Sequence, residues 1–254
     1  MKLVRIGLAL SALATMACAH GGLRPAVVPT PATDALLVLP GFGYGGDGER
    51  TFRSLAPRLA EEGIDLYLPA YVARGGLEES RERLRQYVQE ARLDRYDRVH
   101  VFAFLAGAWT FNPLADAGLL PNLSTVVFDR SPYQERAPRV AQDKLPFPAR
   151  LKYGEVIFDL ARTPYVPLTT PAVRVGILVE TVPTTFIRRF AATAARQGPY
   201  QFECEAFGQR YDDCGYVAMS HDEIYARFAD VWPDVRAFIR TGRFSRSVVR
   251  SDKS

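Results

Sequence analysis

From Ala35 onward the chain alternates two patterns: short continuous apolar runs, and longer stretches with apolar residues every three or four positions. "ALLVLPG" (35–41) is a run of the first kind, closed by Pro-Gly, as expected of a strand buried on both faces. Phe52, Leu55, Ala56 and Leu59 then fall at helical spacing, with Gly63 placed to stop the helix. "IDLYLPAY" predicts a second strand. After Gly75-Gly76, Leu84, Tyr87, Val88 and Ala91 mark one face of a long amphipathic helix, with Glu79 and Arg83 four apart on its surface. "RVHVFAFLAG" predicts a third strand, followed by helix as far as Asn112-Pro113, and "LSTVVFD" and "VRVGILVE" predict two more strands. A helix over 184–197, a short strand near "YQFECEAF" and a last amphipathic helix carrying Ile224, Phe228, Val231, Val235 and Phe238 complete the series.

Strands alternating with helices imply an α/β fold: a mostly parallel sheet flanked by helices, in one domain over residues 34–244. Residues 132–171 break the alternation. They hold seven of the chain's 18 prolines and no repeat, and read as a short cap or lid over the sheet rather than a separate domain. With 48% hydrophobic and 24% charged residues, the 254-residue chain can bury a sizeable core.

The N-terminus follows a different rule. Lys2 and Arg5 precede the apolar run Ile6–Ala14, too short to span a bilayer, and residues 1–18 read as a secretory signal. Its end, "ATMAC", resembles a bacterial lipoprotein processing site with Cys18 as the lipidated residue, although Thr15 stands where leucine is usual. Ordinary cleavage after Ala19 also fits. Either outcome exports the folded part, and the first anchors it to the cell envelope, on the periplasmic or the surface face. Residues 19–33, rich in Pro, Gly and Ala, then serve as a tether, and residues 245–254 form a basic tail.

Export changes the reading of charge and cysteine. Losing Lys2 and Arg5 lowers the formal charge from +4 to +2, too small and too evenly spread for a nucleic-acid partner. Beyond Cys18 only Cys204 and Cys214 remain, an even pair in an oxidising compartment; a disulfide between them and two buried free thiols are the alternatives. Three histidines and no Cys/His ligand spacing give no expectation of a metal, and no cofactor is expected. "GFGYGG" satisfies the dinucleotide fingerprint, but Asp47-Gly48 continues the loop where that fingerprint opens a helix.

In open parallel sheets ligands bind at the carboxyl ends of the strands. Those ends offer "PGFGYGG" (40–46), Leu105 with its neighbours, Asp129, Glu180, and His221 in "MSHDE" just before the last helix. Each also has a plain structural reading: Leu105 as core, Glu180 as a strand-end carboxylate, His221 as a helix cap, and Asp129 as a partner of Arg130 or Arg136.

The order of these residues resembles the α/β-hydrolase superfamily, in its lipase and esterase branch, over roughly Ala35 to Phe244. That family carries a small-x-Ser-x-small elbow after a strand, its serine held in a strained backbone conformation, and the acid and histidine follow later in the chain. Here Ala103 and Gly107 match the small positions, Glu180 the acid (with Asp129 the alternative) and His221 the histidine. The resemblance implies an oxyanion-type site built from backbone N–H groups near Phe42, Gly43 and Ala106. At the centre stands Leu105, which has no lone pair to attack a carbonyl. No Ser, Thr or Cys of the mature chain occupies an equivalent frame. The expectation is therefore a catalytically degenerate hydrolase fold, a pseudoenzyme binding a small acyl or lipid-like ligand or a protein partner. The rivals are an active ester or lipid hydrolase using a displaced nucleophile, from Ser131 or Ser220, and a structural envelope lipoprotein without ligand.

Overall fold

The computed structural model of the chain describes residues 32–41 and 47–245. The expectations for the signal, Cys18, most of the tether, Phe42, Gly43 and the tail beyond Ser245 fall outside them.

Six strands form one parallel sheet: β1 (Asp34–Leu39), β2 (Ile64–Tyr67), β3 (Arg98–Ala103), β4 (Leu123–Arg130), β5 (Arg174–Glu180) and β6 (Asp213–Val217), in spatial order β2-β1-β3-β4-β5-β6. Pairing is parallel throughout, with Leu37 opposite Val101 and Phe128 opposite Ile177. β1 alternates its side chains between two cores, as the two-residue period of a strand requires. Leu36 and Val38 point into one with Phe102 and Leu178; Ala35, Leu37 and Leu39 point into the other with Val101 and Phe128.

Helices α1 (Asp47–Glu61) and α10 (Phe228–Thr241) cover the first face, where Phe52, Val231, Trp232 and Phe238 are wholly buried. Helices α2 (Leu77–Glu90) and α3 (Leu105–Asp116) cover the second through Leu84, Val88, Phe111 and Leu114. α3 does not stop at Pro113 but runs three residues further. Proline removes the N–H that would bond the carbonyl four residues back. That carbonyl, on Trp109, instead accepts a hydrogen bond from Arg81 Nη2 of α2 at 3.1 Å.

Between β4 and β5 the chain builds three short helices, α4 (Ala137–Lys144), α5 (Pro146–Tyr153) and α6 (Val156–Arg162), joined by the buried cluster Ala141, Ala149, Ile157 and Phe158. The stretch predicted as one helix over 184–197 is two, α7 (Thr185–Arg189) and α8 (Ala191–Ala195), parted at Phe190. The last amphipathic stretch likewise divides at Arg227 into α9 (His221–Ala226) and α10. "YQFECEAF" is not a strand: Cys204–Phe207 is a 3-10 turn, and the edge strand β6 follows it. Cys204 is disulfide-bonded to Cys214 on β6, with Cα atoms 6.4 Å apart, so the turn is stapled beside β6 rather than paired into the sheet.

Candidate active site

The carboxyl ends of β1, β3, β4 and β5 and the start of α9 converge on one spot. His221 is the first residue of α9, where Ser220 and Glu223 form a capping box that fixes the entry of the helix. Ser220 rather than His221 caps the helix, which leaves the imidazole turned inward, 6% exposed. Its Nδ1–H donates to Oε1 of Glu180 at 2.8 Å, and Oδ2 of Asp129 lies 3.3 Å from the same nitrogen. Both carboxylates are fully buried, and among the described residues neither Asp129 oxygen nor Oε2 of Glu180 has a hydrogen-bond partner. The three residues bring one donor atom each to within 4.8 Å of one another. For a cation this is a possible ligand set, but the Nδ1–Oε1 separation is that of a hydrogen bond between the two side chains.

Burial, reinforced by the nearby Asp129 charge, pushes Glu180 up to about 8. Burial alone would lower His221, but the charge of Glu180 and the contacts with both carboxyls outweigh it and push the imidazole up to about 10. Both shifts are upward, and the two groups titrate as one coupled pair rather than as separate residues. Asp129 therefore belongs to the histidine's environment. Arg130 turns away to Glu135 (2.6 Å), and Arg136 donates to the carbonyls of Ala194 and Gly198.

β3 delivers the chain into α3 at this spot. Phe104, the residue before the helix, is extended (φ −69°, ψ 161°), and Leu105 is the first helical residue. Gly107 is required by packing, because a Cβ there would lie 2.7 Å from the Leu39 carbonyl oxygen. Gly41, at the end of β1, donates its N–H to the Tyr225 hydroxyl at 2.6 Å, and Tyr71 donates to the Pro40 carbonyl at 2.6 Å. Tyr225 in turn stacks on Phe104 with ring centroids 4.1 Å apart.

No protein-family model matches the chain, and no curated protein sequence does. Solved structures do match its shape. An alpha/beta hydrolase fold protein from Chitinophaga pinensis superposes with a TM-score of 0.51 at 10% identity, covering 84% of this chain and 92% of that one. Est1E from Butyrivibrio proteoclasticus gives 0.50 at 15% identity, covering 84% and 90%. The chain has the α/β-hydrolase fold.

Leu105 stands at the junction where β3 passes into α3. The strained backbone expected there is missing. Arg92 is the only non-glycine residue with positive φ among the described residues. α3 begins at Leu105 itself, so the side chain needs no left-handed turn to leave the sheet. It is nevertheless not simply core: Leu105, Ala106, Gly41 and His221 together floor a cavity of about 560 Å³. The cap helices roof it through Ala141, Leu145, Ala149 and Ile157, with Leu160 and Phe186 beside them.

Neither serine weighed as a displaced nucleophile faces His221. The Ser220 hydroxyl donates to Glu223 Oε2 at 2.8 Å, and Ser131 Oγ accepts from the Gln134 N–H at 3.2 Å. Of the three expected oxyanion contributors only Ala106 is described, in the first turn of α3 and at the cavity floor. The sequence pattern does not single out Tyr225; its spacing of four from His221 is the one local signal.

Proposed function

We propose that this is a catalytically degenerate α/β-hydrolase-fold protein, exported and held at the cell envelope by lipid on Cys18, that binds a small acyl or lipid-like ligand under its cap. The carrying observation is Leu105: the side chain at the nucleophile position reaches the cavity floor beside His221 and offers only carbon. A second support is the upward push on His221 from the adjoining carboxyls, which disfavours the neutral imidazole that would take a proton from an attacking hydroxyl. A cavity of about 560 Å³ lined mainly by apolar side chains, within the usual range of ligand pockets of roughly 300–1,000 Å³, supports a ligand over a purely structural role.

The test is incubation of the purified protein with short-chain aryl esters and with a fluorophosphonate probe. Background hydrolysis unaffected by His221→Ala, and no labelled serine, is the expected result. Robust turnover lost in His221→Ala would overturn the reading, as would a probe adduct mapped to one serine. Metabolic labelling with a radiolabelled fatty acid tests the anchor: lipid incorporated in the wild type and absent in Cys18→Ser supports it.

A further inference from the structure

The outer face of the cap carries a feature that folding does not explain. Among the described residues the exposed large hydrophobics are Phe147, Leu151 and Val166, at 75%, 67% and 45%. Two of the three lie on α5, four residues apart, a spacing that sets them on one face of the helix. Ala149, between them in sequence, points the opposite way, into the buried cluster with Ile157 and Phe158. The helix is pinned at its end. The carbonyls of Leu151 and Lys152 accept from Nη2 and Nη1 of Arg74 at 2.8 and 2.9 Å, and the Glu155 N–H donates to the Arg74 carbonyl at 2.7 Å. α5 is thus tied to the loop before α2 and holds Phe147 and Leu151 outward. Cations surround the pair. Residues 142–153 contain Lys144, Arg150 and Lys152 against one acid, Asp143, and all four are exposed. Arg150 is also paired with Glu155 at 3.0 Å, an exposed contact of little strength. The neighbouring α7, whose Phe186 packs against the same cluster, adds exposed Arg188 and Arg189.

We propose that α5 is a membrane-contact helix: Phe147 and Leu151 sink into the headgroup boundary of an anionic phospholipid bilayer, while Lys144, Arg150 and Lys152 bind its headgroups. Two observations choose this occupant. Phe147 and Leu151 together expose on the order of 250 Å² of apolar surface, far below the roughly 800 Å² that each partner of a stable protein complex buries. A bilayer needs no such area, because shallow apolar insertion and a cationic rim act together. The rim also disfavours a second copy, which would bring the same positive charges against its own. The contact goes beyond the acyl pocket and the Cys18 anchor proposed above and requires neither. It is made by the outer side of a helix tied to the body, so no opening of the cap is involved.

Vesicle flotation of the full chain carrying Cys18→Ser, which removes the cysteine of the proposed anchor, tests this. The vesicles are phosphatidylcholine, pure or with about one third phosphatidylglycerol. The protein should float with the mixed vesicles about tenfold better than with the pure ones. Adding Phe147→Ser and Leu151→Ser should lower that binding about tenfold. Both side chains are exposed, so the melting temperature should not change, and the shared N-terminus makes the difference a report on α5. Lys144→Gln with Lys152→Gln should cut binding to the mixed vesicles about threefold and leave binding to the pure ones unchanged. Equal flotation with and without the two serines would overturn the contact, as would flotation indifferent to phosphatidylglycerol or absent from both vesicle types. Dimers in sedimentation velocity that disappear in the double serine variant would assign the face to a second copy instead. None of these outcomes depends on lipid at Cys18 or on a ligand in the cavity, so a failure here leaves those readings standing.

Discussion

Nδ1 of His221 lies 2.8 Å from Oε1 of Glu180 in a site where Glu180 is completely buried. Both groups hold protons more tightly folded than unfolded: Glu180 rises from 4.5 to about 8, His221 from 6.5 to about 10. The folded state then binds more protons than the unfolded chain, so stability falls as pH rises. Glu180's contribution is fully present below about pH 4.5 and lost towards 8. That of His221 is present below about 6.5 and lost towards 10. Melting temperatures should therefore decline as pH rises from about 4.5 towards 10, at up to about 1.4 kcal/mol per pH unit for each extra proton held by the folded state. Glu180→Gln should flatten the decline. An unchanged slope in that variant would contradict the assignment.

Leu105→Ser places a hydroxyl beside His221. It should cost about 2 kcal/mol, the low end for loss of a buried leucine, because the side chain already borders a cavity. At pH 7 aryl-ester turnover should stay at background, since His221 has no vacancy for the serine proton. Turnover should then rise towards pH 10. Adding Asp129→Asn removes a negative neighbour and should move that rise to lower pH, a shift read directly from the pH–rate profile. Activity in Leu105→Ser that peaks at pH 7 would show the imidazole to be neutral there.

Gly107→Ala tests the crossing of α3 over β1. The new Cβ would meet the Leu39 carbonyl at 2.7 Å and the Leu39 Cβ at 2.9 Å, both on a central strand with little room to move. A loss of about 1–3 kcal/mol in urea unfolding is expected. A change below 0.5 kcal/mol would mean that helix and strand separate easily.

Cys204→Ala combined with Cys214→Ala opens a loop of sequence separation 10. On the chain-entropy account this costs about 2–3 kcal/mol. The loss should vanish when both proteins are compared under reducing conditions, which separates the crosslink from the packing of the side chains.

How much of this was legible in the chain varied with the physics. Continuous apolar runs announce buried parallel strands, so β1, β3, β4 and β5 could be placed from the sequence, and Glu180 and His221 followed from their positions at a strand end and a helix start. β6 is short and carries Gly215 and Cys214, whereas Phe202, Cys204 and Phe207 nearby mimic a strand; only the disulfide and the pairing with β5 separate the two. The breaks at Phe190 and Arg227 fall in stretches whose apolar spacing is uninterrupted, so periodicity could not locate them. The backbone at Leu105 was beyond reach too. The small residues at 103 and 107 report a tight helix–strand crossing, and such a crossing exists whether or not residue 105 is strained.

Tyr225 stands one turn after His221 on the six-residue helix α9, and its hydroxyl holds the Gly41 N–H. The helix therefore works as a lever with two arms. A displacement of α9 would move the imidazole and the Tyr225 hydroxyl together. The backbone at the end of β1 and the position of the histidine are in this way held by one short helix.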